Sequence, residues 1–174
     1  MKAVGKRSMA REMALQMLYQ HDMGSEPPVP EIFRRFDRTV YLAGGDAMED
    51  ANGGSGRREA RRAAPDEARA RQVDEAFEYA RNLVTGTLEH LEEIDALIRK
   101  QADNWRLERM PAVDRNILRL AVFELLHEEE LPKLVVVDEA IELAKKFSTD
   151  QSSRFVNGLL DGLLKRREFP GRMT

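Results

Sequence analysis

The stretch that decides the fold is residues 134–164, LVVVDEAIELAKKFSTDQSSRFVNGLLDGLL. Val135, Ala140, Ile141, Ala144 and Phe147 recur at helical spacing in its first half. Phe155, Val156, Leu159, Leu160, Leu163 and Leu164 do so in its second half. Ser148, Thr149, Asp150, Gln151, Ser152 and Ser153 separate the two stripes. Such side chains stop one helix and start the next, because their oxygens accept from the orphan amides of a helix N-terminus. Val135-Val136-Val137 is β-branched, but the run leads straight into the helical spacing of Ala140, Ile141 and Ala144. The stretch therefore predicts two amphipathic helices meeting at a polar corner.

The same periodicity extends outward. Towards the N-terminus, Pro111 to His127 places Val113, Ile117, Leu120, Ala121 and Leu125 inward, with Pro111 suited to a first helical position. Leu131-Pro132 is a turn. Asp74 to about Lys100 carries Phe77, Ala80, Val84, Leu88, Leu91, Ile94 and Ile98 on one stripe. Gly86 within it marks a bend or a close helix approach, and Asp103-Asn104-Trp105 breaks it. Near the start, Ser8 to Asp22 is a helix with Ala10, Met13, Ala14, Met17 and Leu18 on its core face. Glu31 to Leu42 forms a short helix with Ile32, Phe33 and Phe36 inward. Residues 44–71 are rich in Gly, Ala, Arg and acids, with almost no large apolar side chain. Such a segment cannot bury enough surface to offset its ordering entropy. It reads as a low-complexity insertion, helical only near its end, and the residues from about 168 onward read as a frayed tail. With no convincing strand pattern, the expected fold is all-α, a compact bundle of about six to seven helices spanning residues 1–174 as one domain.

Composition narrows the function. A chain of 174 residues with 42% hydrophobic content can build one core. Its 28 basic and 31 acidic residues give a net charge of −3, so any nucleic-acid surface must come from local clustering. Lys2, Lys6, Arg7 and Arg11 face one acid, Glu12, in the first twenty residues, and form such a cluster. The absence of Cys excludes disulfides, thiolate nucleophiles and zinc-thiolate sites. No leader or membrane span is evident, and the expected location is the cytoplasm. His21, His90 and His127 have no metal-ligand spacing, and no phosphate-cradling or nucleophile-elbow motif is present. His90 and His127 read as solvated, the acid runs at 92–93 and 128–130 as exposed faces, and Asn157-Gly158 as close helix packing. No catalytic residue, metal or cofactor is expected. A helix-turn-helix DNA reader fits poorly, because Arg154 is the only basic residue in residues 151–164.

Three segments carry a more specific resemblance. Arg11-Glu12 runs through Ala14-Leu15-Gln16-Met17-Leu18-Tyr19. Asn104-Trp105 and Leu107-Glu108-Arg109-Met110 precede Asp114-Arg115-Asn116-Ile117-Leu118-Arg119-Leu120-Ala121-Val122-Phe123-Glu124-Leu125. Asp138-Glu139-Ala140-Ile141-Glu142-Leu143-Ala144-Lys145-Lys146-Phe147 is followed by Arg154-Phe155-Val156-Asn157-Gly158-Leu159-Leu160-Asp161. Together they resemble the NusB family of transcription antitermination factors, the third segment most specifically. The insertion at 44–71 lies outside the resemblance.

The resemblance implies an all-helical, non-catalytic RNA-binding factor. It implies binding to the boxA element of nascent ribosomal RNA transcripts together with the small-subunit ribosomal protein NusE. It further implies action on the RNA polymerase elongation complex with other Nus factors. RNA contacts implied for the basic arm and first helix fall on Lys6, Arg7, Arg11 and Tyr19. Those implied for the corner before the last helix fall on Gln151, Ser152, Arg154 and Phe155. NusE-facing positions fall on Glu108 and Asp114, where acid suits a basic partner. Some RNA cytosine methyltransferases carry a NusB-like domain, but this chain lacks their nucleophilic Cys. A helical protein-interaction module without RNA binding stays open as the alternative.

Overall fold

A computed structural model describes residues 5–44, 67–103 and 105–174. Among them are eight α-helices: α1 (Lys6–Met23), α2 (Val29–Arg35), α3 (Thr39–Leu42), α4 (Glu67–Glu89), α5 (Leu91–Gln101), α6 (Ala112–His127), α7 (Lys133–Phe147) and α8 (Asp150–Arg166). A single 3-10 turn, Leu107–Arg109, leads into α6. No strand occurs among the described residues, and the expected all-α class holds. The helix count exceeds the expected six to seven because two predicted helices are split. One divides around Phe36–Arg38. The other divides at His90, whose ring Nδ1 donates to the Gly86 carbonyl at 2.8 Å. The hydrogen-bond ladder runs on either side of His90, so α4 and α5 meet at a kink.

α6 is the axis of the molecule. It touches α1, α4, α5, α7 and α8. Its residues Ile117, Leu118, Leu120, Ala121, Val122, Phe123 and Leu125 are all buried. A helix surrounded on every side needs apolar residues all round, not on one stripe. The predicted one-sided face of α6 was therefore too narrow. α1 buries Ala10, Met13, Ala14, Met17 and Leu18, the stripe expected of it. α7 is rotated from expectation: Val136, Val137, Ala140, Leu143 and Ala144 are buried, while Val135 is exposed. Gly86 is explained by packing, because a Cβ there would collide with the Phe123 ring of α6.

The chain end is not frayed. Phe169 is buried, and the backbone turns at Gly171, whose φ of +86° favours glycine. The carbonyls of Arg172 and Met173 then accept from the amides of Lys133 and Leu134, both at 3.0 Å. α7 begins after Pro132, which offers no side-chain cap. The tail supplies the acceptors that its first turn lacks. The low-complexity stretch expected at 44–71 falls largely outside the described residues, and the helix expected near its end begins at Glu67.

Candidate nucleic-acid interface

The corner between α7 and α8 is shorter than its sequence suggests. Only Ser148 and Thr149 lie outside the helices, and Gln151, Ser152 and Ser153 form the first turn of α8. Thr149 is the N-cap, its hydroxyl accepting from the Ser152 amide at 3.0 Å. Ser148 Oγ and Ser152 Oγ each donate to one oxygen of Asp114, both at 2.9 Å. Asp114 therefore ties the corner to the start of α6, where the helix dipole also favours its charge. Two expectations are corrected here. Asp114 and Ser152 are buried and fully engaged with each other, so neither is offered to a partner or to RNA. The same turn sends Gln151 and Arg154 into solvent and leaves Phe155 half-buried.

Arg11 requires a third correction. Its guanidinium is buried and forms a two-pronged pair with Glu124, Nε to Oε1 and Nη2 to Oε2, both at 2.8 Å. Glu139 lies 3.7 Å away, and Ser8 donates to the same carboxylate at 3.0 Å. Burial opposes the Arg11 charge, but the bonds and charge of Glu124 outweigh it and hold its pKa above the usual value. Arg11 is a structural cation and does not face phosphate. Lys6 and Arg7, by contrast, are exposed. Lys6 pairs with Glu75 at 2.6 Å, and Arg7 stands 5.9 Å from the centre of the Tyr79 ring. Exposed pairs of this kind contribute little and are readily exchanged for a phosphate. Tyr19 stands on the same helix with 39% of its surface exposed.

α1 runs antiparallel to α6. Arg11 meets Glu124 near one end, and at the other Asp22 accepts from Arg115 at 2.7 Å and Asn116 at 3.0 Å. Arg119 joins this network at Asp22, 3.4 Å away, and also binds Asp95 in bonds of 2.8 Å. The network lines an open cleft of about 230 Å³ with Arg99 and Glu108 at its rim. Glu108 is exposed and paired with Arg99 at 2.9 Å.

A second open cleft, of about 360 Å³, lies beside the corner. Gln101, Ala102, Asp103, Trp105, Arg154, Phe155, Gly158 and Leu159 line it. Trp105 and Phe155 rings stand 5.7 Å apart, tilted by 56°. Sequence reasoning passed over Trp105 as part of a helix break. The available signal was a lone large aromatic between polar neighbours. Gly158 does not pack closely, contrary to expectation: among the described residues nothing lies within 4 Å of where its Cβ would be.

His127 is exposed as expected, while His90 is half-buried. Their rings stand 4.1 Å apart, and partial burial with the charge of His90 lowers the His127 pKa. Among the described residues no group of three His, Asp or Glu could hold a metal. No described helix is long and apolar enough to cross a membrane.

The comparisons with known proteins agree with one another. The NusB family profile matches residues 8–165. The transcription antitermination protein NusB of Symbiobacterium thermophilum is 42% identical over 159 residues, covering 91% of this chain and 89% of that protein. Its counterpart in Myxococcus xanthus is 40% identical over 158 residues, covering 91% and 94%. T. maritima NusB superposes with a TM-score of 0.67 at 32% identity, covering 92% of each chain. A chain from the crystal structure of antitermination factors NusB and NusE in complex with dsRNA gives a TM-score of 0.65 at 28% identity, covering 93% of this chain and 98% of that one. The family model runs from α1 into α8, the relatives and solved structures cover over nine-tenths of the chain, and this chain belongs to the NusB family.

Proposed function

We propose that this chain is a non-catalytic, RNA-binding transcription antitermination factor of the cytoplasm. With NusE it binds boxA in nascent ribosomal RNA transcripts and acts on RNA polymerase elongation alongside other Nus factors. The observation that carries this reading is the match, over 93% of the chain, to a protein solved with NusE and dsRNA.

The geometry supports it. Lys6, Arg7, Gln151 and Arg154 are exposed, and Tyr19 and Phe155 offer partly exposed rings. Phosphate neutralisation joined to aromatic contacts is how single-stranded RNA is held. Arg11, Ser152 and Asp114 serve the interface by fixing the helices that carry these groups. Glu108 is the acid left for NusE. The whole chain acts as one domain, with the insertion at about 44–71 outside the RNA-binding core.

A gel shift with boxA RNA, with and without NusE, tests the reading. The expected result is a shifted band that strengthens when NusE is added. No shift under either condition would overturn it in favour of a protein-interaction module.

A further inference from the structure

We infer that the cleft that Ala102, Asp103 and Trp105 form with α8 takes one unpaired base of single-stranded RNA, stacked on Trp105 and cleared by Gly158; this rests on the RNA-binding reading above.

The first observation is Trp105. Its side chain is the only Trp in the chain, and 58% of its surface is exposed. It is not a loose residue on a loose loop. Its amide donates to the Ala102 carbonyl at 3.0 Å, and Phe155 braces one side of the indole. A braced indole with an open face is the usual platform for a base, because every base has a π-face.

The second observation is Gly158. The described helices contain three glycines within their spans, Gly86, Gly158 and Gly162. Gly86 makes room for Phe123, and Gly162 makes room for Gln101. At Gly158 nothing among the described residues needs the space. Alanine would favour the helix there, so the missing Cβ costs stability without any internal return. The opening faces the Trp105 cleft, where an approaching planar group would use it.

The third observation is the charge pattern. Arg154 lines the cleft, is exposed, and has no ion-pair partner among the described residues. Asp103 also lines it, and lies 4.0 Å from Arg166. An acid at the cleft disfavours a phosphate on its floor and leaves a neutral base as the better guest. Arg154 then meets the flanking phosphate, or stacks on the neighbouring base. The cleft's volume falls near the low end of the range of about 300–1,000 Å³ that suits small organic groups.

Trp105 is its own reporter. The full chain is titrated with fluorescein-labelled single-stranded boxA RNA in the presence of NusE. RNA anisotropy and tryptophan emission are followed together, with the Trp105→Leu variant as emission background. Saturable quenching of Trp105 at the midpoint of the anisotropy curve is expected. Trp105→Leu and Gly158→Ala should each weaken binding about tenfold, and Trp105→Tyr should restore most of the loss. Gly158→Ala should also raise the melting temperature, which separates lost binding from lost folding. RNA binding with unchanged Trp105 emission and wild-type affinity in both variants would overturn the stacking site and leave the functional reading intact. No RNA binding by the unsubstituted chain would overturn both. Quenching by NusE alone, unaltered by RNA, would assign the cleft to protein and overturn the inference.

Discussion

Arg11 sits in a row with Leu15 and Tyr19, beside the apolar stripe of α1, and its sequence context says only that it is basic. The fold decides its role by placing Glu124 of α6 within 2.8 Å of it, out of water. Asp114 and Ser152 are similar: each looks like an exposed polar residue until the partner helix is placed. No periodicity distinguishes a charge that will be paired in the core from one that will face a ligand. Lys6, Arg7 and Arg154 look no different in sequence, and it is the fold that leaves them exposed. The buried pair has a definite consequence. Glu124→Ala leaves Arg11 charged, desolvated and unpaired, so it should lower the unfolding free energy by about 3–5 kcal/mol. Replacing both partners, Arg11→Met with Glu124→Leu, should recover most of that loss, since a buried pair is often matched by an apolar one. Urea denaturation of the three proteins measures both effects. A binding assay on Arg11→Ala would mix instability with affinity, so Arg154 is the better probe of phosphate contact.

Helices were the easiest elements to read, because apolar stripes of three to four turns carry their own phase. α1 buries the whole of its expected stripe, with Met9 and Leu15 buried beside it. α7 did not, since Val135, Val136 and Val137 in succession leave its phase undetermined until α6 and α8 pack on it. The kink at His90 was invisible for another reason: the stripe from Phe77 to Ile98 continues through it, and only a ring-to-carbonyl bond marks the change. The tail was missed because Phe169-Pro170-Gly171 has no periodicity, while its role depends on where α7 starts. That role can be measured. Truncation after Arg167 removes the buried Phe169 ring and the two carbonyl caps on Lys133 and Leu134. Lost apolar burial and two lost hydrogen bonds predict destabilisation of about 3 kcal/mol. Hydrogen exchange should show the first turn of α7 losing protection first, with α1 and α6 much less affected.

At the scale of the molecule, α6 sets the distance between the two basic regions. Asp114 anchors the corner near its start, and Glu124 anchors α1 near its end, about 15 Å further along the axis. Lys6 and Arg7 lie beyond Arg11, so the arm and the corner are roughly 20 Å apart. One RNA strand must span that distance to use both regions, which a sequence without coordinates could not show. The electrostatic part of binding is then a sum over separated cations. For single-stranded RNA each neutralised phosphate contributes about 0.7 to the slope of log affinity against log salt. Lys6→Ala, Arg7→Ala and Arg154→Ala combined should therefore flatten the slope by about two. The surface pair of Lys6 with Glu75 must open first, so Lys6 should contribute the least of the three. Titrations at several salt concentrations with a boxA oligonucleotide long enough to span both regions measure the slope. Shortening the RNA until it reaches only the corner should remove the dependence on Lys6 and Arg7 and keep that on Arg154. An unchanged slope in the triple variant would mean that these cations do not meet phosphate, and the basic arm would revert to a solvated helix end.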